Sequence, residues 1–493
     1  MAGRGGKWWA LAVLVLPMLL ISVDMTVLGF ALPYLAEDLA PTGVEQLWIV
    51  DIYSFMLAGL LVLMGTLGDR IGRRKLLLIG AAAFGAASVL AAFSGTPALL
   101  IAARALLGIG GATLMPSTLS LIRTVFTDAK ERKLAIAVWS AGFSGGMALG
   151  PVLGGWLLEH FWWGSVFLIN VPVMVLLLAV GPFLLPEARD PNPGRFDVLS
   201  AALSFATVLP IVYGIKMAAE HGFGLVESVS VAAGLVFGVV FVRRQRALKD
   251  PMLDLELFKN RAFSVSVATN TLAVFAVVGL LFLVPQYLQL VLGLSPVRAA
   301  LWMLPATVAG IVGALLAAKL SARFRTSSLV GLGLAMSAAG YLVMSFIGVE
   351  SGLAALVVGF VLVGGGAALA ETLTNDLVVS AVSPERAGAA SAISETGYEL
   401  GGALGTAVLG TLATAVYRAG VPADAPEAAR ETIGGADAVA RTLPDGQGLL
   451  TAARESFVDG MHVTAFAGTA LLVLTAVQAF FLLRERRPVT VGA

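Results

Sequence analysis

Apolar residues recur along this chain in runs too long for the core of a globular domain. Fourteen stretches, at about 9–34, 46–67, 76–94, 98–122, 132–157, 163–185, 198–219, 227–242, 263–291, 297–318, 328–348, 353–380, 386–416 and 463–483, approach the ~20 apolar residues that a helix needs to cross a bilayer. Polar turns separate them, so the pattern predicts an all-α integral membrane protein. Two features break the rhythm. Residues 418–461, rich in Ala, Asp, Glu and Gly, predict one long polar loop before the last span. Spans 7 and 8 read as a pair inserted between two six-helix halves. The expected organisation is a first bundle over 1–190, inserted helices over 191–250 and a second bundle over 251–493.

Composition agrees. Of 493 residues, 58% are hydrophobic and 13% charged, against roughly one half and one quarter in soluble domains. The first run follows Arg4 and Lys7, is too long for a signal peptide and lacks a small-residue cleavage site, so it reads as a retained span. The absence of cysteine excludes disulfides and thiolate metal sites. His160, His221 and His462 fall in or near turns on one side, with no metal-ligand cluster, nucleophile motif or phosphate loop, which speaks against an enzyme. A formal net charge of +1 carries no nucleic-acid signal.

The loop charges orient the spans. With the N-terminus in the cytoplasm, 25 of the 32 Lys and Arg fall in inside loops. The other seven are Arg104, Lys216, Arg298 and four within 418–461. Positive residues collect on the cytoplasmic side, so both termini are expected there and the 418–461 loop outside.

Small residues mark close helix packing. Gly142, Gly146, Gly150 and Gly154 recur every fourth position in span 5, and Gly397, Gly401 and Gly405 do so in span 13. That spacing puts each set on one helix face. Such stripes are common where membrane helices touch; two at matched places in the two halves also indicate an internal repeat.

Polar groups inside the spans carry the candidate chemistry. Asp24 lies ~24 Å along the helix from Trp8, in the outer half of the bilayer. Arg104 lies at comparable depth in span 4, as a backbone clamp or a functional charge, and burying it costs at least ~2.5 kcal/mol. Asp51, between Trp48 and Tyr53, reads equally as a solvated helix end or a working acid. Glu395 and Glu399 lie one turn apart in span 13 beside Tyr398. Two carboxylates that close in a low dielectric titrate together, which suits a site alternating between a proton and a cation. Glu371 in span 12 is a further acid, while Asp376 sits near the inner surface. Trp48, Tyr53, Phe55, Tyr287, Trp302 and Tyr398 offer faces for cation–π contact, each with ordinary packing as the plainer alternative.

Several stretches, in order, resemble the fourteen-span drug:proton antiporter family of the major facilitator superfamily, of the quaternary-ammonium and dye efflux type. They are "DMTVLGFALP" from Asp24, "QLWIVDIYS" from Gln46, "GTLGDRIGRRKLL" from Gly65 (with Asp69, Arg70, Gly72 and Arg73), "RALLGIGGATLMPSTLSLIR" from Arg104, "GGMALGPVLGG" around Pro151, "FLINVP" from Phe167, "DPMLDLELFK" from Asp250 and "SETGYELGG" from Ser394. Gly29 stands where the family usually has Asn, and "AAKLSARFRTSS" from Ala317 is a degenerate second copy of the Gly65 motif. The resemblance implies a monomeric exporter of lipophilic cations in a bacterial plasma membrane, driven by the proton gradient without a cofactor. Asp24, Glu395 and Glu399 would bind proton or cation, with Asp51 accessory, Arg104 linked to proton coupling and the span-5 motif marking antiport. Relatives that handle dications carry Asp where this chain has Gly310, which implies weak dication export. The rival expectations are an importer or uniporter of a small solute and a cation sensor that transports nothing.

Overall fold

The computed structural model describes residues 4–189, 196–221, 224–249, 251–382, 386–444 and 446–483. The expected domain boundaries at 190–191 and at 250, and Arg195, Arg484, Arg486 and Arg487 of the charge pattern, lie outside the described residues, as does the His221 side chain.

The first stretch forms α1 (Arg4–Leu39), α2 (Gly43–Ile71), α3 (Arg73–Ala92), α4 (Pro97–Val125), α5 (Ala129–His160), α6 (Ser165–Leu168) and α7 (Asn170–Leu184). Next come α8 (Val198–His221) and α9 (Leu225–Ala247). The remainder is α10 (Arg261–Gln286), α11 (Pro296–Leu320), α12 (Thr326–Met344), α13 (Leu353–Ser380), α14 (Ala387–Gly420), α15 (Glu427–Glu431), α16 (Ile433–Ala440) and α17 (Gly446–Leu482). Among the described residues 14 helical spans are long and apolar enough to cross a membrane, with α6 and α7 together forming the sixth. Successive spans alternate in direction. The end carrying the start of α1 is called the near end below, and the opposite one the far end.

The glycine stripes sit where helices meet. A Cβ on Gly146 would lie 2.0 Å from Ser22 Oγ and 2.4 Å from the Leu19 carbonyl, so α5 presses directly on α1. A Cβ on Gly405 would lie 2.1 Å from the Phe275 carbonyl, so α14 presses on α10 in the same manner. Helix α8 packs on α9 but also lies against α2 and α14. Its start is fixed by Asp197, which caps the Ser200 N–H at 3.0 Å and pairs with Arg244 of α9 at 2.8 Å.

The expected loop at 418–461 is corrected: α14 continues to Gly420, α15 and α16 follow, and α17 begins at Gly446 and runs 37 residues. Alanine and charged side chains make good helix without making a lipid-length apolar run, so hydropathy missed these turns. Together they cap the far end. Glu431 accepts from the Gly43 N–H at 3.0 Å and pairs with Arg418 at 2.9 Å, and Arg441 pairs with Glu37 at 3.4 Å. At the same end Glu159 accepts from the Val297 N–H at 3.1 Å, and Gln289 Nε2 donates to the Phe30 carbonyl at 3.2 Å. These bonds join α1, α2 and α5 to the later helices at the far end.

Candidate substrate and coupling site

Helix α2 carries most of the embedded chemistry. Each residue turns about 100° from the last, so Asp51, Tyr53 and Ser54 aim at different neighbours. Toward α1 and α4, Tyr53 lies beneath Arg104, whose guanidinium carbon stands 4.6 Å from the ring centroid. Arg104 Nη1 donates to Asp24 Oδ2, while its Nε donates to the Ile49 carbonyl at 3.1 Å and its Nη2 to that of Val50 at 3.5 Å. Both charged side chains are buried. Arg104 is therefore a clamp on the α2 backbone, and Asp24 is its counter-ion.

Toward α8, Asp51 pairs with Lys216 at 2.7 Å, and neither side chain has exposed surface. The ammonium also lies 3.8 Å from the Trp48 ring centroid. The solvated reading of Asp51 falls with this burial. Lys216 escaped sequence reasoning, which registered it only as a cation away from the inside loops. Its place within span 7 was the available signal.

Toward α14, Ser54 stands beside Glu399. Glu399 is buried, whereas Glu395, Glu371 and Tyr398 are half-buried. Glu395 lies within electrostatic range of both Glu371 and Glu399. Among the described residues no Lys or Arg forms an ion pair with any of these three glutamates. Among the described residues, two embedded aspartates thus pair with a cation and three embedded glutamates form no ion pair. Asp376 is exposed.

An apolar cavity of about 160 Å³ opens between α2, α8 and α14, walled by Phe55, Gly59, Phe205, Val208, Thr396 and Leu400 among others. Trp48 stacks obliquely on Phe55 with ring centroids 6.3 Å apart. The other two aromatic candidates stand elsewhere. Tyr287 is fully buried and donates to the Gly348 carbonyl at 2.7 Å, and Trp302 is exposed on α11. Neither borders this cavity.

The sequence pattern of the Major Facilitator Superfamily matches residues 14–406. The chain belongs to the major facilitator superfamily. It is 51% identical over 477 residues to the multidrug efflux pump LfrA of Mycolicibacterium smegmatis, covering 95% of this chain and 94% of that protein. Over 494 residues it is 38% identical to the methyl viologen resistance protein SmvA of Salmonella typhimurium, covering 97% and 99%. A solved bacterial homolog of the human lysosomal transporter Spinster shares the fold, with a TM-score of 0.70 at 18% identity over 99% of this chain and 100% of that one. The chain is a multi-pass membrane transporter, not an enzyme.

In this major facilitator protein the turn between α2 and α3 is a built joint. Asp69 pairs with Arg73 at 2.5 Å, and Gly72 has φ +110°, a conformation that favours glycine. A Cβ there would also lie 2.5 Å from Glu187, an acid just beyond α7 that the sequence did not single out. Glu187 accepts from the Arg74 N–H at 3.0 Å, and Arg74 Nη1 donates to the carbonyls of Pro182 and Leu185 at 3.2 and 3.0 Å. The joint therefore ties α2 and α3 to the end of α7. Arg70 is exposed beside it, and Gly65 lies 3.9 Å, at its Cβ position, from Pro116. Gly150 and Gly154 continue the α5 contact with Thr26 and Val27 of α1, with Pro151 between them in the helix.

Proposed function

We propose that this transporter exports lipophilic monovalent cations, such as ethidium, acriflavine and quaternary ammonium compounds, in exchange for protons. The observation that carries the reading is the group of three embedded glutamates without a paired cation. A buried carboxylate is tolerated only when something neutralises it, and a proton and a greasy cation do so interchangeably. Glu395 and Glu399 are the primary site in this reading, and Glu371 extends it on α13. The printed names of the relatives, a multidrug efflux pump and a methyl viologen resistance protein, support export of drugs.

The cycle follows from competition. A cation entering from the cytoplasm meets ionised glutamates and nearby aromatic faces. After the far side opens, protons displace it, and the return step carries them inward. Linkage requires no more than one negative site that two ligands cannot share. The density of Lys and Arg on the near-end turns supports placing that end in the cytoplasm of a bacterial cell, and the chain works as a monomer in this scheme.

Purified protein in liposomes, given an imposed pH gradient, tests the scheme. Wild type is expected to move ethidium against its gradient. Glu395→Gln and Glu399→Gln are expected to lose coupling, each lowering pH-driven transport tenfold or more. Glu395→Gln and Glu399→Gln variants that both pump at the wild-type rate, with unchanged response to uncouplers, would refute it. Uptake in the direction of proton flow would establish the importer instead.

A further inference from the structure

The Asp51–Lys216–Trp48 cluster lies outside the three glutamates on which the proposed exchange rests. We infer that Lys216 is a tethered cation that occupies a second cation-binding site, formed by Asp51 and Trp48, and that a transported cation must displace it. The inference builds on the export reading.

The geometry is that of a recognition site already filled. A carboxylate at 2.7 Å and an indole face at 3.8 Å surround one ammonium group. An acid beside an aromatic face is what a lipophilic cation needs, since the ring attracts charge without demanding hydrogen bonds. The site also adjoins space. Phe55 walls the cavity between α2, α8 and α14, and its ring contacts Trp48 at 6.3 Å between centroids. Helix α8 supplies both that wall, through Ser204 to Leu209, and Lys216 itself.

The pair is also a sparser staple than the Arg104 clamp. Charges taken out of water repay their desolvation only when hydrogen bonds satisfy them well. Among the described residues the ammonium meets the Asp51 carboxylate at 2.7 Å and the Trp48 ring at 3.8 Å. By contrast Arg104 adds two carbonyl acceptors to its contact with Asp24. Lys216 thus neutralises Asp51 with fewer fixed partners than Arg104 has. A tethered ammonium acts at a high local concentration, so any cation from the cavity must outcompete it. Strongly hydrated or small ions gain nothing from Trp48 and fail to do so; large apolar cations gain the ring. Lys216 is in this sense a specificity-determining residue for which Asp51 is the site.

The test is binding of tetraphenylphosphonium to purified full-length protein near neutral pH, by equilibrium dialysis. Lys216→Met is expected to lower Kd about tenfold or more, and the gain is expected to vanish in Lys216→Met/Asp51→Asn. Lys216→Arg, which keeps the charge, is expected to bind no tighter than wild type. Unchanged or weaker binding by a folded Lys216→Met overturns the inference, because a purely structural pair yields no tighter site. Wild-type protein supplies an independent readout should Lys216→Met not fold. An amine-acylating reagent, followed by peptide mass spectrometry, is expected to spare Lys216 in empty protein and to modify it severalfold more with saturating tetraphenylphosphonium. Equal modification in both states overturns the inference. Failure of wild type to bind the cation at all sinks the export reading and this inference together. Binding by wild type without the Lys216→Met gain sinks this inference alone.

Discussion

Arg104 and Asp24 show how much one buried contact decides. Their pairing predicts that Asp24→Asn leaves a guanidinium buried without its counter-charge, a change that typically costs ~3–5 kcal/mol. Thermal unfolding in detergent should fall accordingly, and Asp24→Asn/Arg104→Gln should recover part of the loss, as one neutral group then faces another. Full stability of the single variant would count against the clamp. Gly310 predicts a gain. A Cβ there meets nothing nearer than the Gly364 carbonyl at 3.7 Å, so a side chain begins without a clash. Gly310→Asp is expected to raise transport of methyl viologen severalfold relative to ethidium, measured in the same liposomes. An unchanged ratio would show that a charge at this place does not select dications.

At the scale of elements, the contact between α1 and α5 depends on which side of α5 each glycine faces. Gly146 meets Ser22 and Leu19, whereas a Cβ on Gly145 would meet nothing within 4 Å. Gly146→Val should therefore abolish folded protein in membranes and Gly145→Val should not, as read by fluorescence-detected size exclusion. Equal yields would remove the packing argument. The α8–α9 hairpin makes a prediction about pH. Burial alone would push the Asp197 carboxyl up, but the Ser200 hydroxyl and N–H and the Arg244 guanidinium outweigh it and hold the group below its ordinary value. A carboxyl lowered by folding adds stability above its unfolded pKa, and that contribution disappears as pH falls through the folded value. Asp197→Asn should thus destabilise the protein at neutral pH, with the difference from wild type shrinking in acid. A difference that persists in strong acid would assign the effect to packing instead.

At the scale of the whole molecule, the far end is where the later helices are latched to α1, α2 and α5. Glu431 bridges α14 and α2 through Arg418 and the Gly43 N–H. Arg441 pairs with Glu37 there at 3.4 Å, both are exposed, and the chain contains no cysteine. A Glu37→Cys/Arg441→Cys pair is therefore expected to be bridged by a short flexible bismaleimide, reporting the closed far end without background. Adding Glu431→Gln should lower the cross-linked fraction by loosening the latch. Cross-linking indifferent to Glu431 would mean that α15 and α16 cap the far end without holding it.

Alternation of long apolar runs with charged turns made the fourteen spans legible, because lipid imposes a length and a polarity that no neighbour can override. The glycine stripes likewise disclosed which helix faces meet, since close approach admits few residue types. The sequence could show that acids are embedded, but not which of them are neutralised. Asp24, Asp51 and Glu399 look alike along the chain. Whether a guanidinium, an ammonium or no cation stands beside each depends on residues 80 and 165 positions away for the two aspartates, brought there by packing. Charge compensation is a property of distance in space, and only the tertiary structure sets it.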